Sequence, residues 1–294
     1  MATKFNPIKK AAKKARNAVN DVAIDKAFDS VINKYITPEE IIAQIIKLPV
    51  ARVDRAEFLH KELIRYYPEE TVKTAIEYNP AYAGIGKQRI NNIADQVIQR
   101  ETNKVAGISF AAGLPGGFAL AATIPADVVQ YLAFTIRAIQ EIAYLYGFDE
   151  FDFEEEELDS YAMDQILIFL GAMYGVQGVD GSIKVIAEAA AQKTSKVLAN
   201  EALTKTAIYP VVKKVAKELR SKITKRIYVK GASKAVPVIG GAVSGGLTYA
   251  TFKPNCKRLK RSLRDLEICD VEFYKKRLIK CDPAPDPEST GCHC

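Results

Sequence analysis

An all-α fold, a single multi-helix domain with two Gly-rich apolar helical hairpins at its centre, is predicted by three features of this sequence. Apolar residues recur at helical spacing along nearly the whole chain of 294 residues, and strand signals are nearly absent. Pro and Gly punctuate that pattern at intervals that suit short packed helices joined by tight turns. Two uncharged Gly-rich stretches, Val105–Ile124 and Ala235–Phe252, stand apart from the rest. With 48% hydrophobic and 26% charged residues, the composition is that of a globular chain able to bury a sizeable core.

In chain order, residues 1–20 form a basic segment that reads as the start of an amphipathic helix. It has cations but no apolar run, so it does not read as a secretory signal. Residues 21–281 make up the helical domain. Thr37-Pro38-Glu39-Glu40 offers an N-cap, a Pro at the first helical position and a capping-box glutamate. Ile41, Ile42, Ile45 and Ile46 then make an apolar face, and Pro49 ends it. Asp54 and Glu57 repeat the start signal before Phe58, Leu59, Leu63 and Tyr66, and Pro68 opens a helix carrying Val72, Ala75 and Ile76. Ile90, Ile93, Ala94, Val97 and Ile98 form an unbroken helical stripe.

Pro125 and Asp127 begin a long helix that stops at Tyr146-Gly147. An apolar helix near 161–174, an Ala-rich helix near 182–206 and basic helices near 211–229 and 256–278 complete the domain. The tail, residues 282–294, is polar and Pro-rich and reads as disordered.

Val105–Ile124 has the length of a bilayer span, which needs roughly 20 apolar residues. Its interior does not suit one, because Leu114-Pro115-Gly116-Gly117 is a turn signal that leaves two arms of about 15 Å each as helices. Ala235–Phe252 contains Gly241-x-x-x-Gly245, a spacing that lets helices approach closely, and cations flank it at both ends. Cations at both ends suit a segment that enters and leaves a membrane on one side. Burial of both stretches as core helices in Gly-mediated contact is the alternative.

The formal charge of +7 is unevenly spread. Sixteen cations lie between Lys205 and Arg264 against one anion, Glu218, so that stretch carries +15 and the rest of the chain −8. Phe148–Asp159 holds eight carboxylates and no cation. Such polarity suggests an anionic partner, lipid headgroups before nucleic acid, unless the acidic loop neutralises the basic helices within the fold. Tyr209, Tyr228 and Tyr249 are too few and too scattered for a base-stacking platform.

No catalytic constellation is visible. Only two His residues, His60 and His293, are present, which starves most His-dependent mechanisms. Ala242-Val243-Ser244-Gly245-Gly246 imitates a nucleophile elbow without a preceding strand. Gly84-Ile85-Gly86-Lys87 resembles a phosphate loop without its spacing. Five Cys residues, all after residue 255, argue against a disulfide framework and for a reducing compartment. Cys281, Cys292, His293 and Cys294 could bind a soft metal, and a flexible exposed tail or an acylated Cys beside a membrane fits them equally; with no specific metal-ligand spacing, no metal site and no cofactor is assigned. Asp127 follows the uncharged stretch directly; beside apolar surface a carboxylate is costly unless paired, while in a helix's first turn it complements the dipole. Arg137 and Glu141 have i, i+4 spacing for an ion pair.

Several of these residues together resemble the EcsC protein family. They are Gly113-Leu114-Pro115-Gly116-Gly117, Ile124-Pro125-Ala126-Asp127, Arg137 and the Ile142-Ala143 to Tyr146-Gly147 ending. Val236-Pro237-Val238-Ile239-Gly240-Gly241-Ala242 with Gly245-Gly246 is similar to that family's C-terminal Gly-rich block. The likeness spans roughly residues 20 to 265, and the Cys-containing tail lies outside it. The family is named after a protein encoded beside the subunits of an ABC transporter, and the resemblance implies membrane proximity and an accessory role rather than a reaction.

The expectation is therefore a non-enzymatic, cytoplasmic protein at the inner face of a membrane. Lys225, Arg226, Lys230, Lys257, Arg258, Lys260 and Arg261 would meet anionic lipid, and a membrane protein would be a further partner. The alternative is a soluble helical interaction or nucleic-acid-binding protein whose Gly-rich stretches are core.

Overall fold

The computed structural model describes residues 37–107, 126–153, 160–192, 208–233 and 240–281. These residues form ten α-helices packed as one domain, with no strand among them. The helices are α1 (Pro38–Ile46), α2 (Arg55–Leu63), α3 (Glu69–Glu77), α4 (Lys87–Gly107), α5 (Ala126–Leu145), α6 (Ser160–Tyr174), α7 (Val179–Gln192), α8 (Tyr209–Ser233), α9 (Gly240–Leu263) and α10 (Val271–Cys281).

The start signals work as the sequence predicts. Thr37 Oγ1 accepts from the Glu40 N–H at 3.1 Å, and Glu40 Oε2 accepts from the Thr37 N–H at 2.8 Å, a complete capping box. Asp54 caps α2 by accepting from the Glu57 N–H at 2.7 Å. Helix α5 stops at Gly147, whose φ of +92° is left-handed. Its N–H donates to Tyr144 O, and the Phe148 N–H donates to Ala143 O, satisfying two carbonyls that the helix leaves orphaned. Glycine is required there twice over, since a Cβ would lie 3.2 Å from the Ile268 carbonyl oxygen.

Helix α5 is the axle of the fold. Every residue from Val128 to Phe148 except Arg137 is buried, and α1, α2, α4, α6, α8 and α9 all pack on it. Most of its circumference is apolar, which seats the helix in the core and takes Gln140 and Glu141 in with it. The predicted stripe of α4, from Ile90 to Ile98, is buried as well. Helix α6 meets α8 at Gly171, where a Cβ would come within 2.6 Å of Val215 Cγ2, so the missing side chain sets the interhelical distance.

The C-terminal third departs from expectation. The Gly-rich stretch and the basic helix expected to begin near Cys256 are, from Gly240 onward, one helix, α9, which runs through Pro254. Pro removes a single ladder donor, and α9 is held across that point by Phe252, Cys256, Leu259 and Leu263, a buried stripe against α4 and α6. The predicted helix to Leu278 instead breaks at 264–270, where Leu266, Ile268 and Cys269 turn into the core. The turn of the first predicted hairpin, Gly113–Gly117, lies outside the described residues, as do residues 1–20, 234–239 and the tail. Helix α7 is described to Gln192; the rest of the predicted Ala-rich helix lies outside.

Candidate functional site

Two arrangements of charge could carry function: the exposed cations of α8 and α9, and a buried cluster between α2, α4 and α5. On α8, Val212, Val215 and Leu219 are buried, and Lys213, Lys214 and Lys217 are exposed. Lys214 Nζ donates to Gln177 O at 3.0 Å, and Lys213 Nζ lies 4.4 Å from the centre of the Tyr209 ring. Lys225, Arg226 and Lys230 follow on α8, with side chains outside the described residues.

On α9 the predicted lipid-facing cations divide. Lys257 and Arg261, one turn apart, are exposed. Arg258 and Lys260 are committed to packing. Arg258 Nη1 donates to Met173 O at 2.7 Å, at the carbonyl end of α6. Lys260 Nζ lies 2.8 Å from Asp95 Oδ2 and donates to Asn91 O at 2.9 Å, leaving the side chain 11% exposed. The cause is the seat of α9 between α4 and α6, which turns two of the four cations toward neighbouring backbone. Arg258 and Lys214 thereby bring both basic helices to one turn, between α6 and α7.

The described beginning of the acidic stretch packs elsewhere. Arg55 is buried, with Nε donating to Phe148 O at 3.1 Å and its Nη atoms to Ile76 O and Tyr78 O; its N–H donates to Glu150 Oε1 at 3.2 Å. Burial lowers its pKa, opposed by Asp149. Residues 154–159 lie outside the described residues.

The buried cluster is built from three glutamates and three cations. Glu62 of α2, Glu101 of α4 and Glu141 of α5 are each at most 2% exposed. Arg100 Nη1 lies 2.9 Å from Glu62 Oε1, and Lys104 Nζ lies 2.6 Å from Glu101 Oε1. Arg137 serves two carboxylates, with Nε 3.7 Å from Glu101 Oε2 and Nη2 3.1 Å from Glu141 Oε1. Glu101 Oε2 and Glu141 Oε2 have no hydrogen-bond partner among the described residues. A cavity of about 250 Å³ opens beside them, lined in part by Arg52, Asp54, Lys61, Glu62 and Glu141. Burial, then the neighbouring Glu101, push the Glu141 carboxyl up to about 7 against the pull of Arg137.

Of the residues carrying the resemblance, Arg137 sits in this cluster and pairs with Glu141 as the i, i+4 spacing predicts. Asp127 is in the first turn of α5, with its side chain outside the described residues. Gly147 ends α5, and Gly240, Gly241, Gly245 and Gly246 occupy the first two turns of α9. Ala242–Gly246 is thus continuous helix rather than a strand-to-helix elbow. Gly84–Lys87 is the connection into α4, and Lys87 Nζ pairs with Asp270 at 3.2 Å.

Sequence reasoning missed Glu62 and Glu101. Their signal was position: Glu101 continues the α4 stripe at i+3 from Ile98, and Glu62 sits at i+3 from Leu59. A carboxylate on an apolar stripe is buried with it and must find cations.

Among the described residues no group of three or more His, Cys, Asp or Glu side chains is arranged to hold a metal ion, and no helix is long and apolar enough to cross a membrane. Comparison of the chain with protein-family models finds no match, and comparisons with curated proteins and with solved structures find none either.

Proposed function

We propose that this chain is an EcsC-like accessory protein without catalytic activity, bound to the cytoplasmic face of a membrane through its basic helices. One observation carries the reading. Arg258 and Lys214 hold α9 and α8 at the same turn, while Lys213, Lys217, Lys257 and Arg261 remain exposed. A cationic surface of this kind gains about 1 kcal/mol per cation near an anionic leaflet. The family resemblance adds a membrane-protein partner, of the kind found with ABC transporters.

Flotation with vesicles tests the reading. The protein should float with phosphatidylserine-containing vesicles at low salt, and float less as salt rises. Replacing Lys213, Lys217, Lys257 and Arg261 with Glu should lower apparent affinity by roughly a thousandfold or more at low salt. Absence of recovery with anionic vesicles at low salt would overturn lipid binding. A steeply salt-dependent shift of a nucleic-acid probe by the same protein would favour the alternative partner.

A further inference from the structure

We infer that Glu141, set against Glu101, is a proton-binding site that latches α4 to α5, holding its proton below neutral pH and loosening the two helices as the proton leaves above it. The geometry supports it in three ways. Each carboxylate has one oxygen, Oε2, that is buried and lacks a hydrogen-bond partner among the described residues. Both carboxylates share the Arg137 guanidinium, at 3.1 Å from Glu141 and 3.7 Å from Glu101; Glu101 also has Lys104 at 2.6 Å, so Glu141 is the less compensated of two desolvated charges. A proton on Glu141 removes its charge from this buried site. The adjoining cavity of about 250 Å³ gives the proton a polar route to solvent.

Among the described residues, charged groups face Glu141 from four elements. Helix α4 presents Arg100, Glu101 and Lys104, and its own helix presents Arg137. Helix α2 contributes Glu62, paired with Arg100, and Glu57 and Lys61 at the cavity. The segment before α2 contributes Arg52 and Asp54. Helix α9 contributes Cys256, a buried thiol that burial and the two carboxylates push far above its ordinary range, so it stays neutral. Burial and Glu101 together outweigh the cations and hold the Glu141 carboxyl up at about 7.

The latch sits on the two helices that lead, in sequence, into and out of the uncharged stretch: α4 ends at Gly107 and α5 begins at Ala126. Its groups are all side chains of the protein, so it is tested on the whole protein in solution. With ¹³C-labelled glutamate, NMR should show one side-chain carboxyl titrating near pH 7, lost in Glu141→Gln and moved to lower pH in Glu101→Gln. Over pH 6 to 8, amide protection in α4 and α5 should fall by up to about tenfold per pH unit, the limit for one linked proton. The wild-type chain carries both readouts, so the test stands even if Glu141→Gln does not fold. The proposal is overturned if every glutamate titrates in the ordinary carboxylate range, or if the titration occurs with protection in α4 and α5 unchanged.

Discussion

The Lys260–Asp95 pair and the Arg137–Glu141 pair have similar lengths, 2.8 and 3.1 Å, and opposite stakes. Asp95 is 53% exposed, so water completes its solvation, and the pair positions α9 on α4. Glu141 is 1% exposed, so its charge is set by burial and by the neighbouring Glu101 and Arg137. Contact distance therefore says little about energy here. What decides is whether the anion retains water when its partner is removed.

The sharpest way to break that comparison is to remove Arg137. Arg137→Leu leaves Glu101 and Glu141 buried without their shared cation and should cost about 3–5 kcal/mol in urea unfolding. A cost near zero would mean that Arg137 is not what compensates the buried carboxylates. The second test is pH. The Glu141 carboxyl rises from 4.5 in the open chain to about 7 in the fold, so the folded state binds the proton more tightly. The stabilisation is whole below pH 4.5 and is lost as pH rises through about 7, on the order of 3 kcal/mol in all. Unfolding free energies across that window should fall in the wild type and stay flatter in Glu141→Gln.

Smaller effects belong to the exposed side. Lys260→Met keeps most of the packing and frees an anion that water can solvate, so it should cost about 1 kcal/mol or less. Lys257→Ala and Arg261→Ala, at exposed positions, should change stability by less than about 0.5 kcal/mol while lowering recovery with anionic vesicles. If the Lys260 and Arg137 substitutions cost the same, burial is not what separates the two pairs.

Much of the fold was legible because its signals are local. The capping box at Thr37, the glycine stop at Gly147 and the α4 stripe depend on residues within a few positions of one another. The fates of Arg258 and Lys260 were not legible, because their partners lie 85 and 169 residues away. A basic run on a helix reads as solvated until the neighbouring carbonyls are known. Continuity of α9 through Pro254 was hidden for a related reason: local chemistry disfavours it, and packing against α4 and α6 overrides the preference. Of the buried cluster, the Arg137–Glu141 and Lys104–Glu101 contacts are local; the links from Arg100 to Glu62 and from Arg137 to Glu101 are tertiary.

Cys256 gives the fold a built-in clock. Its thiol is fully buried on α9 against the glutamate cluster and stays protonated far above neutral pH, so a thiol reagent meets it only after α9 lifts from α4. The rate at which that one sulfur is modified, followed by mass spectrometry, then counts openings of the interior over time. An unreactive cysteine is here the most direct gauge of how often the charged heart of the protein meets water.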